Sequence, residues 1–365
     1  MTALDLSRLH ETQGQSLWLD NLSRALLEED GLPRLIREYG IRGVTSNPTI
    51  FKKGIVGSDL YTDDIAACKR EHDRTESVYE HLVVSDIRRA CDLLRPVWEE
   101  SHGEDGWVSW EESPGLAHDE AESVRAAHYL RELVDRPNVL IKVPGTDDGI
   151  RAFETLISQG VSVNLTLLFS LDQIRRAFAA YRRGLEKWAA DGGRVNEVRA
   201  VASLFLSRVD TLVDAKLDAI GGERAEALKG RSALALAGMA YQHFREVFES
   251  DDFRALEQKG ARPQTPLWAS TGTKNPDYSD LLYVENLIAP RTINTLPDKT
   301  LAAFADHGKI ASTLKPRYEE DRQVWEELEA LGIDMDGAVR DQLLAEGVDQ
   351  FQASFDELLE SIERA

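Results

Sequence analysis

With 365 residues, 42% of them hydrophobic, the chain is long enough to bury a sizeable core, which excludes disorder as a description of the whole. Its 43 basic and 64 acidic side chains leave a net charge of −21. A surface this acidic repels phosphodiester backbones and anionic lipids, so nucleic-acid and membrane partners are not expected, although a local basic pocket for a small phosphate stays open.

Residues 1–20 hold no basic segment followed by an apolar run, so no signal peptide is expected, and no later stretch reaches the length of a membrane span. Short β-like runs then alternate with charged, amphipathic stretches. Strands are predicted at 16–20, 43–46, 107–111, 139–143, 161–168, 198–205, 267–270 and 291–294, with helices such as 172–191 and 208–220 between them. Eight strands alternating with helices predict a (β/α)8 TIM barrel with extra helices. A doubly wound sheet would prefer a Gly-rich turn after the first strand, where Asp20-Asn21-Leu22-Ser23 stands. Residues 249–266 read as a polar insertion or long loop. No linker divides the chain, so residues 1–365 read as a single domain. It includes a helical tail at 318–365, in which Val348, Phe351, Phe355, Leu358, Leu359 and Ile362 recur at helical spacing, and which is expected to pack on the barrel or cover one mouth. Cys68 and Cys91 form neither a CxxC pair nor a disulfide framework, which suits a reducing cytoplasm. The histidines fall in no metal-ligand spacing, so no metal is expected.

Strand alternation identifies the residues that carry chemistry. In the first and third strands, Asp20 and Glu111 stand at C-terminal ends, where barrel enzymes place catalytic groups, although acids also cap helices. Glu112 competes with Glu111; alternation puts Ser109 and Glu111 on the inner face and Glu112 at the strand's end. In the fourth strand, Val139, Ile141 and Val143 face the helix layer while Leu140 and Lys142 point inward. A lysine there must be paired or neutral, because burying an ammonium is costly. Desolvation and nearby cations favour the neutral amine, which attacks carbonyls to form a Schiff base; a structural ion pair is the competing reading. In the fifth strand, Ser162, Asn164 and Thr166 share one face, and Val161, Val163, Leu165 and Leu167 share the other. An inward polar stripe needs a ligand, water or polar partners; an exposed edge strand is the alternative. After the sixth and seventh strands, Ser203-Leu204-Phe205-Leu206-Ser207-Arg208 and Ser270-Thr271-Gly272-Thr273-Lys274-Asn275 offer a guanidinium fork, hydroxyls and backbone N–H groups suited to phosphate. The competing reading of Arg208 is a surface charge paired with a helix carboxylate such as Asp210.

Taken together, these segments resemble transaldolases, Schiff-base aldolase-type barrels of the pentose phosphate pathway. The resemblance rests on Gly43-Val44-Thr45-Ser46-Asn47-Pro48-Thr49-Ile50-Phe51, Val108-Ser109-Trp110-Glu111 and Ile141-Lys142-Val143-Pro144-Gly145-Thr146. It continues through Val163-Asn164-Leu165-Thr166-Leu167-Leu168-Phe169-Ser170, Ala269-Ser270-Thr271-Gly272-Thr273-Lys274-Asn275 and Thr292-Ile293-Asn294-Thr295-Leu296-Pro297, and so spans nearly the whole chain. It implies that Lys142 forms the Schiff base and that Asp20 takes the proton of the C4 hydroxyl. It implies that Glu111 works through a water and that Thr166 is its hydroxyl partner. Asn47, Asn164 and Ser203 would hold the dihydroxyacetone unit, Phe205 would join the substrate-binding wall, and Arg208, Ser270 and Lys274 would bind phosphate. The implied reaction converts sedoheptulose 7-phosphate and glyceraldehyde 3-phosphate to erythrose 4-phosphate and fructose 6-phosphate. It needs no cofactor and is expected of a cytoplasmic monomer or homodimer. Glu112 departs from the apolar residue common in much of the family, Lys274 stands near a position often held by Arg, and the length is similar to the longer bacterial type. The alternatives are a fructose 6-phosphate aldolase-like lyase, a group with Gln where Glu111 stands here, and a non-catalytic sugar-phosphate-binding barrel.

Overall fold

The structure is a computed structural model that describes residues 4–28, 30–314 and 317–365. Among these, eight parallel strands follow one another around a closed barrel: β1 (Gln15–Leu19), β2 (Ile41–Thr45), β3 (Trp107–Glu111), β4 (Val139–Pro144), β5 (Val163–Leu168), β6 (Ala200–Phe205), β7 (Thr265–Ala269) and β8 (Thr292–Leu296). Closure is by β1 on β8, in an unbroken register from Gln15↔Thr292 to Leu19↔Leu296. The strands are short and almost wholly buried, as expected where helices cover one face and side chains fill the other. Return helices start directly at the strand ends because the sequence supplies caps there. Asn47, Thr146 and Ser170 accept the N–H of Ile50, Gly149 and Gln173 at 3.0, 2.9 and 3.1 Å.

The two ends of the barrel differ in kind. At the N-terminal end a buried carboxylate, Asp105, accepts from Ser16 Oγ, Trp18 Nε1 and Arg42 Nε at 2.7, 3.1 and 2.7 Å. Arg199 donates to Pro263 O and Thr265 Oγ1 beside it. This polar plug is satisfied by its own members. The cavity at this end, lined by Ser16, Asp105 and Arg199, presents groups that already bond to one another, whereas the C-terminal end is a hollow lined by Lys142 and Asp20. Above the plug, Gly43 lets the Trp18 indole lie against β2: a Cβ at residue 43 would fall 2.4 Å from the ring.

The barrel and its C-terminal helices agree with the sequence, and strand limits differ by up to two residues. Residues 249–266 are a correction. Helix Asp251–Glu257 occupies this segment, capped by Ser250 and buried through Phe253 and Leu256, and β7 takes in Thr265 and Pro266. The polar look of the segment came from the exposed side of that helix. Leu167 is a second correction. The β5–β6 register shifts between Leu165 and Leu168, and Leu167 has φ of 55°, so alternation fails there. Leu167 leaves the outer face and meets Gly347 of the C-terminal helix. That helix, Arg340–Arg364, follows Tyr318–Ala330 and the short turn Met335–Val339, and it crosses the hollow end of the barrel.

Candidate active site

The hollow end holds a cavity of about 550 Å³. At its floor, register places Glu111, Lys142 and Asn164 side by side on β3, β4 and β5. Lys142 is 3% exposed. Its Nζ donates to Ser46 O at 2.9 Å and stands 3.1 Å from Glu111 Oε2. Burial raises the Glu111 pKa above the usual carboxylate range, and the charge and hydrogen bond of Lys142 oppose that rise. The pair is therefore poised: a carboxyl biased toward protonation lies within reach of the lysine's proton.

Asp20, one residue past β1, accepts from Thr45 Oγ1 at 2.7 Å, and Thr45 lies 2.7 Å from Thr295 across the barrel seam. Desolvation raises its pKa, while Thr45, Lys142 and Lys53 pull it down and Asp298 adds to the rise. Ser203 donates to Asn164 Oδ1 at 2.7 Å, and Asn164 donates in turn to Ser109 Oγ at 3.1 Å. The polar stripe of β5 thus has partners, except at Thr166. Its hydroxyl is fully buried, lines the cavity and has no hydrogen-bond partner among the described residues. A buried hydroxyl left open toward a cavity calls for a water or a substrate atom. Asn47 spends its carbonyl on the cap to Ile50, which leaves the amide N–H groups for the cavity it lines.

The wall above is cationic. Arg208, in the first turn of helix Leu206–Ile220, is half-buried, and among the described residues it has neither an ion pair nor a hydrogen bond. Its guanidinium carbon lies 5.4 Å from the Phe205 ring centre and 5.7 Å from that of Phe351. Asp210 does not pair with it; that carboxylate accepts from Ala233 N and Tyr283 Oη. Ser270 follows β7 with φ of 53° and its hydroxyl is 2.8 Å from that of Ser207. Left-handed backbone at a non-glycine residue is strained; Ser270 carries it at the rim of the cavity and Leu167 beside the cavity-lining Thr166. Lys274 is exposed at the same rim.

Of the residues singled out in the sequence, Asp20, Asn47, Lys142, Thr166, Ser203, Phe205, Arg208, Ser270 and Lys274 all line this one cavity, and Glu111 and Asn164 support it from directly behind. Glu112 points the other way. It accepts from Ser123 Oγ at 2.9 Å on the outer side of β3, where burial and the charge of Glu111 push its pKa up to about 8. Sequence reasoning missed Thr45 and the Ser46 carbonyl. Alternation through β2 singles out Thr45, but a carbonyl leaves no signal. It also missed Gln350 and Phe351, which reach the cavity from the C-terminal helix.

The sequence matches the model of the transaldolase/fructose-6-phosphate aldolase family over residues 17–362. The chain belongs to this family. Among its relatives, the transaldolase of Thiobacillus denitrificans is 53% identical over 358 residues, 98% of each chain. The transaldolase of Neisseria gonorrhoeae is 46% identical, covering 95% of this chain and 96% of its own length. That of Frankia alni is 45% identical, covering 96% and 94%. The match runs from within β1 through the other seven strands and into the C-terminal helix, so the segment that crosses the cavity is shared territory and no appendage.

Proposed function

We infer that the chain works as a transaldolase, a transferase that moves a three-carbon dihydroxyacetone unit between sugar phosphates through a lysine imine. The observation that carries this reading is the buried Lys142–Glu111 pair, 3.1 Å apart at the floor of a cavity that Asp20 also lines. In the proposed sequence Glu111 accepts the proton of Lys142, and the free amine attacks C2 of a ketose phosphate. The carbinolamine loses water with Glu111 acting through a water molecule held by the open Thr166 hydroxyl. Asp20 then takes the C4 hydroxyl proton as the C3–C4 bond breaks. The bonding electrons pass into the protonated imine, giving an enamine and a free aldose phosphate. An incoming aldose phosphate reverses these steps, Asp20 returns the proton, and hydrolysis of the new imine frees Lys142.

Asn47 and the Asn164–Ser203 pair hold the dihydroxyacetone hydroxyls, Phe205 packs behind them, and Arg208, Ser270 and Lys274 bind the phosphate. The barrel and its C-terminal helices act as one unit, because Gln350 and Phe351 complete the cavity wall. Cys68 and Cys91 are both free thiols, which suits a cytoplasmic enzyme, and no helix among the described residues is long and apolar enough to cross a membrane. The test is to supply fructose 6-phosphate with and without erythrose 4-phosphate. Sedoheptulose 7-phosphate should form only when the acceptor is present. Release of free dihydroxyacetone as the main product without acceptor would make the enzyme a lyase.

A further inference from the structure

Arg208 presents an unusual environment for a half-buried cation. Among the described residues it has no carboxylate partner, and burial lowers its pKa while Glu111 and Glu346 oppose that shift at a distance. What holds it are two ring faces, Phe205 from β6 and Phe351 from the C-terminal helix. Guanidinium N–H groups lie in the plane of the cation, so a ring face fixes the group without occupying its donors, whereas a carboxylate would occupy the fork that phosphate needs.

The helix bringing Phe351 is itself fixed to the rim. Thr49 Oγ1 lies 2.9 Å from Ser354 Oγ, Lys52 pairs with Glu357, and Phe355 meets Tyr79 edge-on at 5.1 Å. One turn before Phe351, Gly347 lets the helix approach closely: a Cβ there would be 3.2 Å from Leu167 Cδ2 and 3.6 Å from Arg208 Nη1. We propose that Phe351 is a positioning residue that clamps the Arg208 guanidinium against Phe205 with its donors free for phosphate. The C-terminal helix is then a working part of phosphate recognition. This rests on reading Arg208 as a phosphate-binding residue.

The test compares Phe351→Leu, Phe351→Tyr, Gly347→Ala and Arg208→Ala with wild type. The readouts are kcat and KM with fructose 6-phosphate and with unphosphorylated fructose as donors, and the inhibition constant of inorganic phosphate. Phe351→Leu keeps apolar bulk and removes the ring face. It should weaken phosphate inhibition and lower the preference for fructose 6-phosphate over fructose by about three- to tenfold, through KM more than kcat, on the scale of a cation–π contact. Phe351→Tyr should restore both. Gly347→Ala sets a methyl 3.2 Å from Leu167 Cδ2, which pushes the helix that carries Phe351 away from Arg208, and should act like Phe351→Leu; it carries the test if the leucine variant does not fold. If Arg208→Ala changes both donors equally, the phosphate reading itself fails and takes the clamp with it. If Arg208→Ala separates the donors while Phe351→Leu and Gly347→Ala do not, the phosphate reading stands and the clamp is overturned.

Discussion

Adjacent glutamates show how position alone divides one side-chain type into two roles. Glu111 faces Lys142 and Glu112 faces Ser123, because consecutive residues of β3 point to opposite sides. Glu111→Gln should therefore slow imine formation and hydrolysis by about 10²–10⁴-fold, the scale of a general acid–base group, as read by rapid-mixing kinetics. Glu112→Gln should be mild in activity and visible in stability. With its pKa raised from 4.5 to about 8, Glu112 is protonated in the fold where the unfolded chain has already released the proton. The wild type is most stable with respect to this group below the ordinary value and loses that stability as pH rises to about 8, by at most about 1.4 kcal/mol per pH unit. Glu112→Gln removes the loss. Relative to wild type it should gain on the order of 2–4 kcal/mol between pH 5 and pH 7.5 in urea unfolding. A difference that does not vary with pH would place a hydrated, ordinary carboxyl at residue 112. Alternation made Lys142 and Glu111 legible in the sequence. The Ser46 carbonyl that accepts from Lys142 was not, since every residue carries one and only the closed barrel selects it.

At the scale of elements, strands with period-2 patterning were found within two residues, and the misses fall where backbone geometry departs from the regular strand. The shift in register at Leu165–Leu168 is one such place. Leu167 has the side chain of an outward-facing strand residue, and nothing in its type announces a left-handed φ. The 251–257 helix is another, because a helix this short carries only two buried apolar residues, Phe253 and Leu256, to signal it. Gly43 shows the opposite case, a residue type dictated by its neighbour. Gly43→Ala sets a methyl 2.4 Å from Trp18 in a packed layer whose indole is tied to Asp105. The expected cost is about 1–3 kcal/mol, measured as a lower urea midpoint with unchanged slope. An unchanged midpoint would mean that the Trp18 indole has room to move off β2.

The whole molecule is a barrel plugged at one end by hydrogen-bonded polar groups and open at the other toward a cavity whose catalytic and phosphate-binding candidates come from β1 to β7 in turn. The alternation of eight strands with helices was readable from local patterning, and so was the gathering of polar and charged side chains at their C-terminal ends. What the C-terminal helix covers was not readable. Its apolar stripe names a buried face, but Phe351 looks like any other core residue until the fold sets it against Arg208. The most direct check of the whole reading is covalent. Borohydride reduction during turnover with fructose 6-phosphate, followed by peptide mass mapping, should place a three-carbon adduct on Lys142, which is the only lysine between Lys69 and Lys187 and so can be assigned without ambiguity. An adduct on any other lysine, or none under turnover conditions, would contradict a mechanism built on Lys142.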